Sequence, residues 1–132
     1  MSKITRFNKL VRDRIPHIIQ ASGKYCTVEV LDGQAYLDAL DAKLQEELDE
    51  YQQSHALEEL ADLLEVMGAV VKARGYTWDD LTSVCNAKRA ERGGFDRRLL
   101  LKDVIGGMRE RHVCVPCRIG QRRRGSVHRA VQ

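Results

Sequence analysis

Aromatic residues are scarce in this chain: one Trp, four Tyr and two Phe make up 5% of 132 residues. The apolar content comes instead from Leu, Val, Ile and Ala, a mix that suits helices better than a β-sandwich core. Long apolar runs are also missing. No stretch approaches the roughly 18 uncharged apolar residues of a membrane span, and none follows the first lysine, so a soluble cytoplasmic protein is expected. The four cysteines, Cys26, Cys85, Cys114 and Cys117, are scattered rather than spaced as a disulfide framework, which points to free thiols in a reducing compartment.

What remains is 43% hydrophobic and 31% charged over 132 residues, enough for one domain with a core but not for two. A further absence is local. Between Leu44 and Val71 there are eight acidic residues and no lysine or arginine, a net charge of −8 inside a chain whose overall charge is +3. Segments 1–43, 72–101 and 102–132 carry +2, +3 and +6 in turn. Exposed helices ordinarily mix signs, because like charges at i and i+4 repel. A hard divalent cation offsets such crowding, and the flanking basic segments suit a polyanionic ligand.

The patterning predicts an all-α fold, an antiparallel helical bundle with a short extended segment near the N-terminus. A first helix is expected from Arg14 to Ala21, capped by Asp13, with Pro16 in its first turn and Ser22-Gly23 at its end. Thr27-Val28-Glu29-Val30-Leu31 alternates as an extended segment does, and Asp32-Gly33 reads as a turn. A long amphipathic helix over 35–52 carries Leu37, Leu40, Leu44, Leu48 and Tyr51 at spacings of three and four. Gln52-Gln53-Ser54 then caps a second helix to Arg74, with Leu57, Leu60, Ala61, Leu64, Gly68 and Val71 on one face and Gly75 as its stop. Thr77 and Asp80 resemble a capping arrangement for a third, which carries Leu81, Val84 and Ala87 and ends before Gly93-Gly94.

The helix that ends at Arg74 is apolar on two sides. Glu58, Glu59, Asp62 and Glu65 lie opposite its leucine face, together with Val66, Ala69 and Val70, as on a helix sandwiched between neighbours. Residues 1–101 thus form the domain. Residues 102–132, with Cys114-Val-Pro-Cys117 and Arg122-Arg123-Arg124, have no apolar periodicity and are expected to be a poorly ordered basic tail.

Glu47 and Glu50 are three apart, as are Glu59 and Asp62, so each pair projects from one side of its helix. On facing antiparallel helices the two pairs converge, as carboxylate metal sites in helix bundles do. Oxygen donors without histidine favour Mg2+, with Mn2+ as the alternative, over zinc or iron. His55 reads as a polar connection residue rather than a ligand, and Trp78 as a packing residue. Cys114 and Cys117 with His112 and His128 make only half of a zinc pattern. The competing reading of the acids is a solvated face.

Three motifs carry a family resemblance. Glu46-Glu47-Leu48-Asp49-Glu50 followed by Glu59-Leu60-Ala61-Asp62 is similar to the E-E-x-x-E…E-x-x-D pattern of the MazG-like all-α nucleoside triphosphate pyrophosphohydrolases. Asn8-Lys9-Leu10-Val11-Arg12-Asp13-Arg14-Ile15-Pro16 resembles the N-K-L-V-R-D-x-I-P signature of their phosphoribosyl-ATP pyrophosphohydrolase-like branch, and Lys88 with Arg92-Gly93-Gly94-Phe95 resembles its K-x-x-x-R-G-G-F element. Together they span residues 7–101.

The resemblance implies an enzyme that holds Mg2+ on Glu47, Glu50, Glu59 and Asp62 and hydrolyses a nucleoside triphosphate between the α and β phosphates. The monophosphate and pyrophosphate leave, in house-cleaning of the nucleotide pool. Glu46, outside the metal set, is the candidate proton acceptor. Lys9, Arg12, Lys88 and Arg92 are the candidate phosphate contacts, although Lys88 and Arg92 also suit a helix C-terminus whatever the function. Homodimerisation, or a dimer of dimers, would complete the bundle. Phosphoribosyl-ATP is a further candidate substrate. The alternative is a non-catalytic helical binding or regulatory module, with an acidic docking face and a tail that contacts nucleic acid.

Overall fold

The computed structural model describes residues 3–107. Of the stretch 102–132 expected to be a poorly ordered basic tail, residues 108–132 lie outside them, and so do His112, Cys114, Cys117 and His128. Four helices are formed among the described residues, α1 (Ile15–Ala21), α2 (Gly33–Ser54), α3 (Leu57–Ala73) and α4 (Trp78–Arg92), and no strand. The all-α expectation is met, and no described helix is long and apolar enough to cross a membrane.

Helix α1 has Pro16 in its first turn, where a missing N–H costs nothing. Its N-cap is Arg14, and no side chain caps it, so Asp13 does not play the part its position suggested. Ser22 closes the helix by donating from Oγ to the Ile19 carbonyl at 2.6 Å. Residues 24–30 then run without helix or strand pairing.

Helix α2 is longer at both ends than its apolar spacing indicated. It starts at Gly33 behind an extended Asp32 and runs through Ser54. Ser54 therefore ends one helix rather than opening the next, although its Oγ accepts a hydrogen bond from the Ala56 N–H at 3.1 Å. The link to α3 is two residues. His55 adopts the left-handed conformation (φ 56°) and donates its N–H to the Tyr51 carbonyl at 2.6 Å, while Ala56 is extended and serves as N-cap of α3. So short a link folds α3 back on α2. Glu50 and Glu59 meet near the link, and Arg74 Nη2 lies 3.9 Å from Asp41 Oδ2 toward the other end. The two helices are therefore antiparallel.

Which side of α3 faces α2 is the decisive feature. Val66 is buried, and Glu59, Asp62, Leu63, Ala69 and Val70 are partly buried. Leu57, Leu60, Leu64 and Met67 are exposed. The acid-and-valine side packs inward, and the leucine side is left facing out. Among the described residues only Leu40, Val66 and Glu47 are buried, so one acid belongs to the core.

The chain divides into two compact units, Met1–Trp78 and Asp79–Gln132. The first holds α1, α2 and α3. The second holds α4 beyond Trp78, which ends as expected at Arg92, before Gly93 at φ 88°.

Candidate metal centre

On α2, residues Leu40, Lys43, Glu47 and Glu50 recur at spacings of three and four, so they share one side of the helix. Leu40 is 3% exposed and Glu47 6%. On α3, Glu59, Asp62 and Val66 recur in the same way and face them. The packing brings one carboxylate oxygen each of Glu47, Glu50 and Glu59 within 4.8 Å of one another. Glu47 Oε1 and Glu59 Oε1 are buried and have no hydrogen-bond partner in the protein. A buried carboxylate oxygen without a donor is costly unless something binds it.

Asp62 takes a different place. Its Oδ1 accepts a hydrogen bond from Arg12 Nη2 at 2.7 Å, and it is not among the three converging oxygens. Lys9 Nζ lies 3.0 Å from Glu46 Oε2. The N-terminal segment, which has no regular structure at these residues, is thus tied to α2 through Lys9 and to α3 through Arg12. Lys9 and Arg12, joined to the acids only by sequence motif, stand beside them in space. Lys88 and Arg92 lie on α4 in the second unit, whereas this centre is built by the first alone.

Sequence reasoning missed Lys43. It stands one residue before the cation-free stretch, and its Nζ is 3.2 Å from both Glu46 Oε2 and Glu47 Oε2. Its spacing of three and four to these acids was the available signal.

Electrostatics divide the acids. Burial works to raise the Glu46 pKa, but hydrogen bonds and charge from Lys9 and Lys43 outweigh it and hold Glu46 below the ordinary glutamate range. For Lys43, burial favours the neutral form, yet bonds to Glu47 and Glu46 raise its pKa above the ordinary lysine value. Glu59 is raised, first by withdrawal from water and then by the charges of Glu50, Asp62 and Glu47. An added cation would relieve this repulsion. The oxygen-only donor set suits magnesium or manganese.

His55 serves the link, as expected of a connection residue, with its ring edge-on to Tyr51 at 5.3 Å. Trp78 packs on the outward side of α3, where a Cβ at Gly68 would lie 3.7 Å from its ring. With Leu64, Glu65 and Gly68 it lines an open groove of about 350 Å³.

No family model matches the chain, and no solved structure does. An uncharacterized protein of Mycolicibacterium smegmatis is 52% identical over 42 residues, which are 32% of this chain and 43% of the relative. The chain therefore matches less than half of that relative's length.

Proposed function

We propose that the chain is a magnesium-dependent nucleotide pyrophosphohydrolase of the MazG-like kind, with manganese as an alternative ion. The observation that carries this reading is that Glu47, Glu50 and Glu59 each bring a carboxylate oxygen within 4.8 Å of the others, while Glu47 also has a buried oxygen without a partner. Solvated acidic faces are common, but they do not bury a glutamate to 6% exposure and leave its oxygen unbonded.

Glu47, Glu50 and Glu59 would hold the ion, and Asp62 would join them once released by Arg12. A bound divalent ion neutralises phosphate oxygens and lowers the pKa of water. Arg12 and Lys9, which reach the acids from the segment without regular structure, would then turn from the carboxylates to the phosphates. Glu46, next to Glu47 in sequence and outside the three converging residues, would be the proton acceptor. Departure of Lys9 restores part of its basicity. The oxygen of water would bond to the α phosphorus as the bond from that phosphorus to the bridging oxygen breaks; one proton of water would pass to Glu46, the other would stay on the monophosphate, and pyrophosphate would leave with the bridging oxygen.

The same reading makes a second copy of the chain the partner for the outward row Leu57, Leu60, Leu64 and Met67, which completes an antiparallel bundle. Support comes from the exposures of these residues, 77%, 42%, 51% and 37%, in a unit with so few buried side chains.

The test is pyrophosphate release from a panel of nucleoside triphosphates and phosphoribosyl-ATP, with and without magnesium. Metal-dependent release that Glu50→Gln abolishes is the expected result. Silence across the panel refutes the enzyme and leaves a helical binding module.

A further inference from the structure

Lys43 differs from the other two cations at the carboxylate centre. Lys9 and Arg12 come from a segment without regular structure, and their side chains are 41% and 55% exposed. Lys43 is carried by α2 itself and its side chain is 15% exposed. It bonds at 3.2 Å to one oxygen of Glu46 and at the same distance to one oxygen of Glu47. Lys9 and Arg12 reach Glu46 and Asp62 from outside the two helices. Lys43 reaches its two partners from one turn away on its own helix, with its stem packed.

A charge count follows from these contacts. Glu46, Glu47, Glu50, Glu59 and Asp62 supply five negative charges, and Lys9, Arg12 and Lys43 supply three positive ones. The balance of −2 equals the charge of one divalent ion. Lys43 also takes Glu47 Oε2 and leaves Oε1, the buried atom without a partner, for other use.

We propose that Lys43 is the resident counter-charge of the Glu47/Glu50/Glu59 centre, a positioning residue that sets its ion affinity. It holds Oε2 of Glu46 and Glu47, presents the remaining Glu47 oxygen, and keeps affinity for a free divalent ion low. The ion is then retained when an anionic co-ligand of the polyphosphate class brings further negative charge. This role rests on the reading of the centre as a cation site. It requires no titration of any acid there, only a fixed positive charge 3.2 Å from an oxygen of Glu47.

Manganese alone is the probe, with free ion followed by its electron paramagnetic resonance signal in titrations of the full chain. Lys43→Met and Lys43→Gln are expected to bind manganese roughly tenfold tighter, the scale of removing one unit charge at such range in a half-wet site. Lys43→Arg, which keeps the charge, stays within about twofold of wild type on the same reasoning. Melting without ion falls for Lys43→Met, and its rise on adding manganese exceeds that of wild type. Lys43→Gln serves the affinity comparison if Lys43→Met does not fold. Unchanged or weaker manganese binding in the charge-removing variants overturns the role of Lys43 while leaving the cation site standing. If wild type binds no more manganese than a Glu47→Gln/Glu59→Gln double variant, the cation site itself is refuted, and this role with it.

Discussion

Arg12 and Asp62, fifty positions apart, are joined at 2.7 Å, guanidinium to carboxylate. The pair fastens the N-terminal segment to α3 and, together with Lys9 on Glu46, spans the two helices of the carboxylate centre.

Both side chains of that pair are substantially exposed, so its contribution to stability is small. Arg12→Ala should cost less than about 1 kcal/mol in chemical denaturation. Pyrophosphate release should fall by far more, about a hundredfold, as expected when a charged phosphate contact worth about 3 kcal/mol is lost. Equal small losses in both measurements would remove Arg12 from the phosphate contacts.

Glu59 gives a pH prediction with a definite sign. Its carboxyl is raised by burial and then by Glu50, Asp62 and Glu47, so the folded state takes up its proton more readily than the unfolded chain does. The metal-free protein therefore gains stability as pH falls through the raised Glu59 value and loses it as pH rises through that value. Glu59→Gln should melt higher than wild type at neutral pH without divalent ion, and the gap should close toward acid pH. Glu46 works in the opposite sense. Held low by Lys9 and Lys43 against the effect of burial, it stabilises the fold above the ordinary glutamate range and ceases to do so as pH falls through its lowered value. Melting curves of Glu59→Gln and Glu46→Gln across pH separate the two.

Two leucines of similar sequence character should behave differently. Leu40 is 3% exposed, and Leu40→Ala should cost about 2–5 kcal/mol through lost contacts and a cavity. Leu64 is 51% exposed on the outward side of α3. Leu64→Glu should leave α-helical circular dichroism intact and shift the protein to a lower mass in sedimentation equilibrium. A mass identical to wild type would show that the leucine row is not the contact between copies.

His55 sits in the left-handed region at φ 56°, where a β-branched residue is strained and glycine is at ease. His55→Val should destabilise the chain by about 1–2 kcal/mol, whereas His55→Gly should change it by less than about 1 kcal/mol. Urea unfolding of the two variants checks this.

The helices were legible because their signals are local. Leu37, Leu40, Leu44 and Tyr51 recur at helical spacing, and Gly75 and Gly93 stop the chain at φ 92° and 88°. The pairs Glu47/Glu50 and Glu59/Asp62 were legible for the same reason, since three residues along a helix fix a shared side. Asp13 misled, because a capping residue needs its side chain turned to the helix, and position alone does not turn it. Ser54 misled because α2 continues past the apolar pattern to the point where His55 enters the left-handed conformation.

The sequence by itself determined where the helices lie and that the charges of 44–71 are all of one sign, because both depend on neighbours within a turn or two. It gave α3 two apolar sides, and the spacing of Glu47/Glu50 and Glu59/Asp62 led to the expectation that the acidic side faces α2. Tertiary structure decided how deeply: across the two-residue link at His55 and Ala56, α3 packs with Val66 buried and Glu59 and Asp62 partly buried, while Leu57, Leu60, Leu64 and Met67 stay exposed. It also decided that oxygens of Glu47, Glu50 and Glu59 converge while Asp62 is held by Arg12, fifty residues away in sequence, because such long-range pairings depend on the packed chain and not on neighbours within a turn.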